Sequence, residues 1–190
     1  MPNFLIERAI RLQEAKTGES ADFLRDIWDA SPSAFWRFAG FIPMSRFRGH
    51  LPVNAIAAAC IAAVHAEDCG PCLQTVVTLS LDAGASPHVL AAAVEERLDD
   101  MDDETALVFR FARAIAARDP EAETDRAAIE ARWGKAGMTE LALAIASTRV
   151  FPTMKRVMGY AQACQRVTIS GREAEAALSL RGTAGGGNPV

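Results

Sequence analysis

The chain has 190 residues, a length typical of one domain, and half of its residues are hydrophobic, which is enough for a sizeable core. Its 24 acidic and 20 basic side chains leave a formal charge of −4, which gives no reason to expect a nucleic acid or an anionic membrane as partner. Residues 1–8 lack the apolar run of a signal peptide, and the longest apolar stretch, residues 55–64, is too short to span a bilayer. We therefore expect a soluble cytoplasmic protein with reduced thiols at rest.

Helices are predicted along nearly the whole chain, because it is rich in Ala, Leu, Arg and Glu and poor in alternating β-branched runs. Residues 4–16 form an amphipathic pattern that Gly18 ends. Ser20 is the predicted cap of a second helix, and Ser31-Pro32 is a typical start for a third.

Residues 42–50 are predicted to form an irregular segment. A strongly apolar helix is then predicted from Val53 to about Ala66. The next helix is predicted over residues 69–83. A further helix is predicted to begin at Ser86-Pro87 and to run to about residue 98.

The C-terminal part predicts more helices, since an acidic patch precedes the helix at residues 105–118 and acidic groups complement a helix N-terminus. Thr124 is the predicted cap of a short helix that ends before Gly134. Thr139 is the predicted cap of a long helix that continues past Pro152, where we expect a kink.

Ser-Gly-Arg-Glu at residues 170–173 is a capping-box pattern and predicts a last short helix. Residues 181–190 contain three consecutive glycines and are predicted to be a disordered tail. We expect a single all-α helical domain over residues 1–180, with its core at about residues 20–170.

The most informative segment is residues 65–72, with the sequence HAEDCGPC. Cys69 and Cys72 are three residues apart, so on a helix they share a face with Cα atoms about 5–6 Å apart, within the range that a disulfide accepts. Asp68 is a good N-cap and Pro71 is tolerated in a first turn, so Cys69 is predicted to lie at a helix start. A helix N-terminus lowers a thiol pKa, which favours a reactive pair.

Two neighbouring side chains are candidates for moving protons at this pair. His65 is predicted to close the preceding helix or to stand one turn below Cys69, where it could accept the thiol proton or stabilise the thiolate. Glu67 could hold the orientation of the His65 ring, although Glu67 and Asp68 are anions that raise a neighbouring thiol pKa.

Other interpretations of the pair remain open. A C-x-x-C can be half of a zinc site, but Cys60 and Cys164 are single, and there is no second C-x-x-C or H-x-x-x-H. A structural disulfide has no secretory context to support it, and two thiols buried in a core can acquire this spacing by chance.

Residues 63–85, with the sequence AVHAEDCGPCLQTVVTLSLDAGA, resemble the core motif of the carboxymuconolactone decarboxylase-like superfamily, in its alkyl hydroperoxidase D-type branch. The shared features are the C-x-x-C, a helix ending in Leu-Asp-Ala-Gly at residues 81–84, and Ser86-Pro87. The resemblance covers roughly residues 20–170 and implies a multi-helical bundle of the alkyl hydroperoxidase D-like type. It also implies no cofactor, a symmetric homo-oligomer, and cysteines that cycle between dithiol and disulfide.

The chain departs from that family at its proton-relay positions. Ala57 stands where the peroxidase members have a glutamate, Val76 where they have a histidine, and Pro71 where some have another histidine. Only Cys69 and Cys72 therefore carry over from the resemblance. His65 and Glu67 are the candidates from this sequence for the missing proton carriers.

We therefore expect a thiol–disulfide oxidoreductase or weak peroxidase whose catalytic residues are Cys69, Cys72, His65 and Glu67. Its substrate would be a small-molecule peroxide or disulfide, and an unidentified thiol would donate the electrons. One alternative is a non-enzymatic oligomeric protein that keeps the motif as a redox sensor or as inherited core. A weaker alternative is a cofactor-free lyase or isomerase acting on a small acid through His65.

Overall fold

The computed structural model describes residues 3–160 and 166–175. These residues have an all-α multi-helical architecture with one short hairpin, as the composition predicts. The helices are α1 (Asn3–Thr17), α2 (Asp22–Ala30), α3 (Pro32–Ala39), α4 (Ile42–Ser45), α5 (Val53–His65), α6 (Gly70–Asp82), α7 (Pro87–Val94), α8 (Asp103–Ala117) and α9 (Ala122–Val157), and the strands are β1 (Arg166–Ile169) and β2 (Arg172–Glu175). No helix in this described part combines the length and apolar character needed to cross a membrane.

Helix α5 is the centre of the main hydrophobic core. Residues 55–65 are all buried, and α6, α7, α8 and α9 all pack against the helix. A helix that is apolar on every side is stable only when neighbours surround it, and its many small alanines let those neighbours approach closely. The predicted start after Leu51-Pro52 is confirmed.

A second, aromatic cluster lies at the N-terminal end of the chain. It joins α1, α2 and α3 through buried side chains that include Ile6, Phe23 and Phe35. The start of α3 is confirmed, because Ser31 caps it by accepting a hydrogen bond from the Ala34 N–H. For α2 the N-cap is Ala21 rather than Ser20, although the Ser20 hydroxyl accepts a hydrogen bond from the Asp22 N–H.

The last predicted helix is wrong, because residues 166–175 form an antiparallel β-hairpin. Val167 and Ile169 are buried while Thr168 between them is exposed, which is the period-two pattern of a strand. Ser170 and Gly171 both have positive φ, at 47° and 78°, as a two-residue hairpin turn requires. The Ser-Gly pair therefore acts as a turn rather than as the start of a capping box.

The long C-terminal helix also begins earlier than expected. Gly134, with φ 65° and ψ −171°, interrupts α9, and helical structure resumes directly after it. Thr139 lies inside that second segment, and its hydroxyl donates a hydrogen bond to the Lys135 carbonyl, so its predicted role as a cap is wrong. The kink expected at Pro152 stays a prediction, and the tail predicted at residues 181–190 lies outside the described residues.

Candidate functional site

The cysteine motif lies in the tight connection between α5 and α6. The Glu67 and Asp68 N–H groups donate to the carbonyls of Val64 and His65 at 3.0 and 3.1 Å, which closes the end of α5. Asp68 has a left-handed backbone conformation with φ 49°, and this reverses the chain before α6 begins. Asp68 is therefore not the N-cap that its residue type predicts.

Cys69 occupies the N-cap position of α6 with an extended backbone, and Cys72 lies in the first turn. The predicted placement of Cys69 at a helix start is thus confirmed. The two cysteines are paired as a disulfide with Cα atoms 5.2 Å apart, and their exposed fractions are only 3% and 5%. Pro71 follows Gly70 in the first turn of α6. Proline lacks an N–H, but N–H groups in the first turn have no partner within the helix, so no intrahelical hydrogen bond is lost.

His65 is the buried last residue of α5, and its ring faces a carboxylate from another part of the chain. Its Nδ1 atom lies 3.3 Å from Oε1 of Glu96, just beyond the end of α7. The other oxygen of Glu96 lies 3.0 Å from Nη1 of Arg113 on α8. The hydrogen bond with His65, helped by the charge of Arg113, holds the pKa of Glu96 below its usual value against the opposing effect of burial.

Glu67 points to a different helix. Its carboxylate accepts hydrogen bonds from Arg149 Nε at 2.6 Å and from Arg156 Nη1 at 3.1 Å, and Arg156 also donates to the Glu67 carbonyl. Burial by itself would raise the pKa of Glu67, but the two arginines of α9 outweigh burial and the pKa lies below its usual value. The Glu67 side chain is 8% exposed and ionised.

The structure therefore gives His65 and Glu67 different partners and does not pair them with each other. The suggestion that Glu67 orients the His65 ring is wrong, because Glu96 occupies that position. Reasoning from the sequence missed Glu96, Arg113, Arg149 and Arg156. Arg149 and Arg156 are seven residues apart and therefore share one helix face. This spacing can be seen in the sequence, but many surface arginines have it, so it does not identify these two.

The other predicted positions give a simpler result. Ala57 is buried in α5, and Val76 is partly buried in α6. Cys60 is a buried free thiol whose pKa is raised by burial, while Thr148 and Arg48 act in the opposite direction. Cys164 lies outside the described residues. Within the described ranges no group of three or more His, Cys, Asp or Glu side chains has the arrangement of a metal site.

Helix α6 connects the cysteine pair to the terminal hairpin through one side chain. The amide of Gln74 donates to the Thr168 carbonyl at 3.0 Å and accepts from the Thr168 N–H at 2.7 Å. These two reciprocal hydrogen bonds give partners to the Thr168 N–H and carbonyl on the outer edge of β1, as a neighbouring strand would. The hairpin therefore packs on the same helix that carries Cys72.

Comparison of the chain with protein-family models, with curated proteins and with solved structures finds no match. The resemblance of residues 63–85 to the carboxymuconolactone decarboxylase-like superfamily stays a prediction.

Proposed function

We propose that this chain is a dithiol–disulfide redox protein, a thiol–disulfide oxidoreductase or weak peroxidase that works through Cys69 and Cys72. The observation that carries the proposal is the pairing of these two cysteines across the first turn of α6. A pair so close in sequence opens and closes without separating any packed elements. A structural disulfide stabilises a protein most when it closes a long loop of chain. Cys69 and Cys72 are only three residues apart in the chain, so this disulfide adds little stability of that kind.

The proposed reaction begins with the reduced pair. A thiolate attacks one oxygen of a peroxide, the O–O bond breaks, and the sulfur becomes a sulfenic acid while the leaving alkoxide takes up a proton. The second thiol attacks the sulfenic sulfur, so that an S–S bond forms and water leaves. Two thiols of an external donor then reduce the disulfide and become a disulfide themselves.

Local charges support a reactive thiolate at Cys69. The free N–H groups of the first turn of α6 place positive potential at the N-cap. The negative charge of Glu67, which by itself disfavours a thiolate, is more than balanced by Arg149 and Arg156. His65, the last residue of α5, is the proposed proton acceptor and donor.

A non-enzymatic redox sensor is the second candidate, and one observation favours it. Both cysteines are almost fully buried, at 3% and 5% exposure, so a large disulfide substrate has little access to either sulfur. Small peroxides suit such a site better than protein disulfides do. The same burial is compatible with slow oxidation that changes the protein without turnover.

Thiol mapping and turnover together test the proposal. Wild-type protein is reduced, treated with cumene hydroperoxide and analysed by differential alkylation and mass spectrometry. We expect Cys69 and Cys72 to lose their thiols together and dithiothreitol to restore them. Peroxide-dependent consumption of dithiothreitol should disappear in Cys69→Ser and Cys72→Ser and persist in the control Cys60→Ser.

Each alternative outcome has a distinct meaning. Reversible oxidation without turnover would select the sensor over the enzyme. Oxidation of Cys60 before the pair, or a pair that stays reduced, would contradict the proposed function.

We also propose assembly into a homo-oligomer. Large apolar side chains are exposed on the surface, including Phe4 at 65%, Leu12 at 62% and Trp36 at 46%. Apolar surface of this kind favours association, and most homo-oligomers are symmetric.

A further inference from the structure

We propose that Glu96 is a positioning residue for the cysteine pair: it holds the His65 ring so that Nδ1 carries the proton and Nε2 is left to exchange a proton with a cysteine thiol. This inference rests on the proposed redox function and assigns a role to a carboxylate that no sequence motif marks.

Three separate elements converge to make the arrangement. His65 ends α5, Glu96 follows α7, and Arg113 projects from α8. The ring is 10% exposed and the Glu96 side chain 27% exposed, so the contact between them is largely shielded from water. Arg113 binds the carboxylate oxygen that does not face the ring, at 3.0 Å, and thereby keeps the carboxylate ionised and oriented.

The backbone at Glu96 is the second, independent observation. Helix α7 ends with the Arg97 N–H donating to the Ala92 carbonyl at 2.8 Å and the Glu96 N–H to the Ala93 carbonyl at 3.4 Å. This is a Schellman ending, and Glu96 occupies the left-handed position, with φ 54°, that glycine normally fills. A residue other than glycine at this position carries a conformational cost, and here that residue places its carboxylate 3.3 Å from the buried His65 ring.

The chemistry follows from the tautomer. A neutral imidazole has one donor and one acceptor nitrogen, so a carboxylate at Nδ1 makes Nε2 the acceptor. When a thiol gives up its proton, the S–H bond breaks, sulfur keeps the electron pair, and the proton binds Nε2. The resulting imidazolium has N–H groups on both nitrogens and is stabilised by the negative charge of Glu96.

The other charged groups around the loop have their own partners. Glu67 lies between Arg149 and Arg156 of α9, and Arg113 of α8 lies on the far side of Glu96. Asp68 adds a further negative charge next to Cys69. Among the carboxylates of these described residues, Glu96 is the one that contacts the ring.

The left-handed backbone allows an unusually clean test. Glu96→Gly removes the carboxylate and at the same time relieves the positive φ, so the fold should be retained. Arg118→Gly is the matched control, because Arg118 is exposed and has φ 61° at the end of α8, where the Asp119 N–H donates to the Ala114 carbonyl in the same pattern. Glu96→Gln keeps the shape of the side chain and removes its charge.

Two readouts are measured on the reduced full-length chain. The first is the nitrogen-15 NMR spectrum of the His65 ring, which reports which nitrogen carries the proton. The second is the rate of iodoacetamide alkylation of Cys69 and Cys72 against pH. We expect Glu96→Gly and Glu96→Gln to populate the Nε2–H tautomer and to raise the apparent thiol pKa by about one pH unit, which is about tenfold less thiolate at pH 7. Arg118→Gly should leave both readouts unchanged.

Non-additivity supplies the link to His65. In a His65→Ala background, Glu96→Gln should change the alkylation profile no further, since Glu96 acts only through the ring. Wild-type ring signals and wild-type alkylation curves in Glu96→Gly would overturn the inference, as would a change equal to that of Arg118→Gly. If peroxide oxidises neither cysteine, the proposed function fails separately, and the ring signals still decide whether Glu96 holds His65.

Discussion

The two ionisable side chains on either side of Ala66 have opposite environments, although one residue separates them. Glu67 is fixed by Arg149 and Arg156 of α9, and Arg156 also donates to its main-chain carbonyl. His65 contacts the carboxylate of Glu96. The first arrangement has one negative group between two positive ones and leaves no role for a mobile proton. In the second, the ring nitrogen Nδ1 faces one carboxylate oxygen at 3.3 Å.

This difference shows that nearness to a cysteine does not define a role. Both residues lie within four positions of Cys69, and both are nearly buried. A carboxylate with a lowered pKa between two guanidinium groups stays ionised near neutral pH, so it anchors the loop. An imidazole can change its charge in the physiological range, so it is suited to proton transfer.

The largest expected effect is the loss of stability in Glu67→Ala. Removing one partner of a buried ion pair leaves the other charges uncompensated, and the partial exposure of Arg149 and Arg156, at 34% and 51%, reduces the penalty. We expect the free energy of unfolding in urea to fall by about 2–3 kcal/mol.

Glu123→Ala is the matched control for that experiment. Glu123 also binds an arginine, Arg126, but its side chain is 77% exposed. The control should change stability by no more than about 0.5 kcal/mol. Equal losses in the two variants would mean that the Glu67 contacts do not anchor the loop.

A smaller effect is expected from acid. Because the folded-state pKa of Glu67 lies below its unfolded value, its contribution to stability is present above the ordinary carboxyl pKa and is lost as pH falls through the lowered value. The stability difference between wild type and Glu67→Gln should therefore be constant near neutral pH and shrink in acid.

Glu14 serves as the reference for that measurement. Hydrogen bonds from Arg25 and the Ala21 N–H lower the pKa of Glu14 to about 2. The difference between wild type and Glu14→Gln should therefore shrink progressively from the ordinary carboxyl pKa down to about pH 2, and thermal unfolding at pH 7, 4 and 3 follows this loss for both carboxylates. A Glu67→Gln difference that does not depend on pH would contradict the paired state of Glu67.

The smallest effect distinguishes the two side chains most directly. Glu67→Ala removes an anion and leaves two arginines near the cysteines, so it should lower the apparent thiol pKa. His65→Ala removes the proton acceptor and should raise it, with a loss of stability of only about 1 kcal/mol because Arg113 still pairs with Glu96. Alkylation rates against pH measure the apparent thiol pKa in both variants. Shifts of the same sign would contradict the distinction between Glu67 as an anchor of the loop and His65 as a proton carrier.

Local signals in the sequence predicted much of the helical framework. The starts of α3 and α5 were predicted because Ser-Pro and Leu-Pro restrict the backbone within a few residues. The hairpin was missed because Ser-Gly before Arg-Glu fits both a capping box and a hairpin turn. The burial of Val167 and Ile169 favours the hairpin over the helix. That burial depends on neighbours that are distant in the chain, so the local sequence does not reveal it.

The sequence by itself determined that Cys69 begins a helix and that Cys72 lies close enough to pair with it, because helix geometry sets distances between residues three apart. Only the tertiary structure decided which charges face His65 and Glu67. Arg149 and Arg156 are 82 and 89 residues from Glu67, and the packing of α9 beside α5 places them there. The Coulomb energy of two charges depends on the distance between them in space. For residues so far apart in the chain, no local sequence pattern reveals that distance.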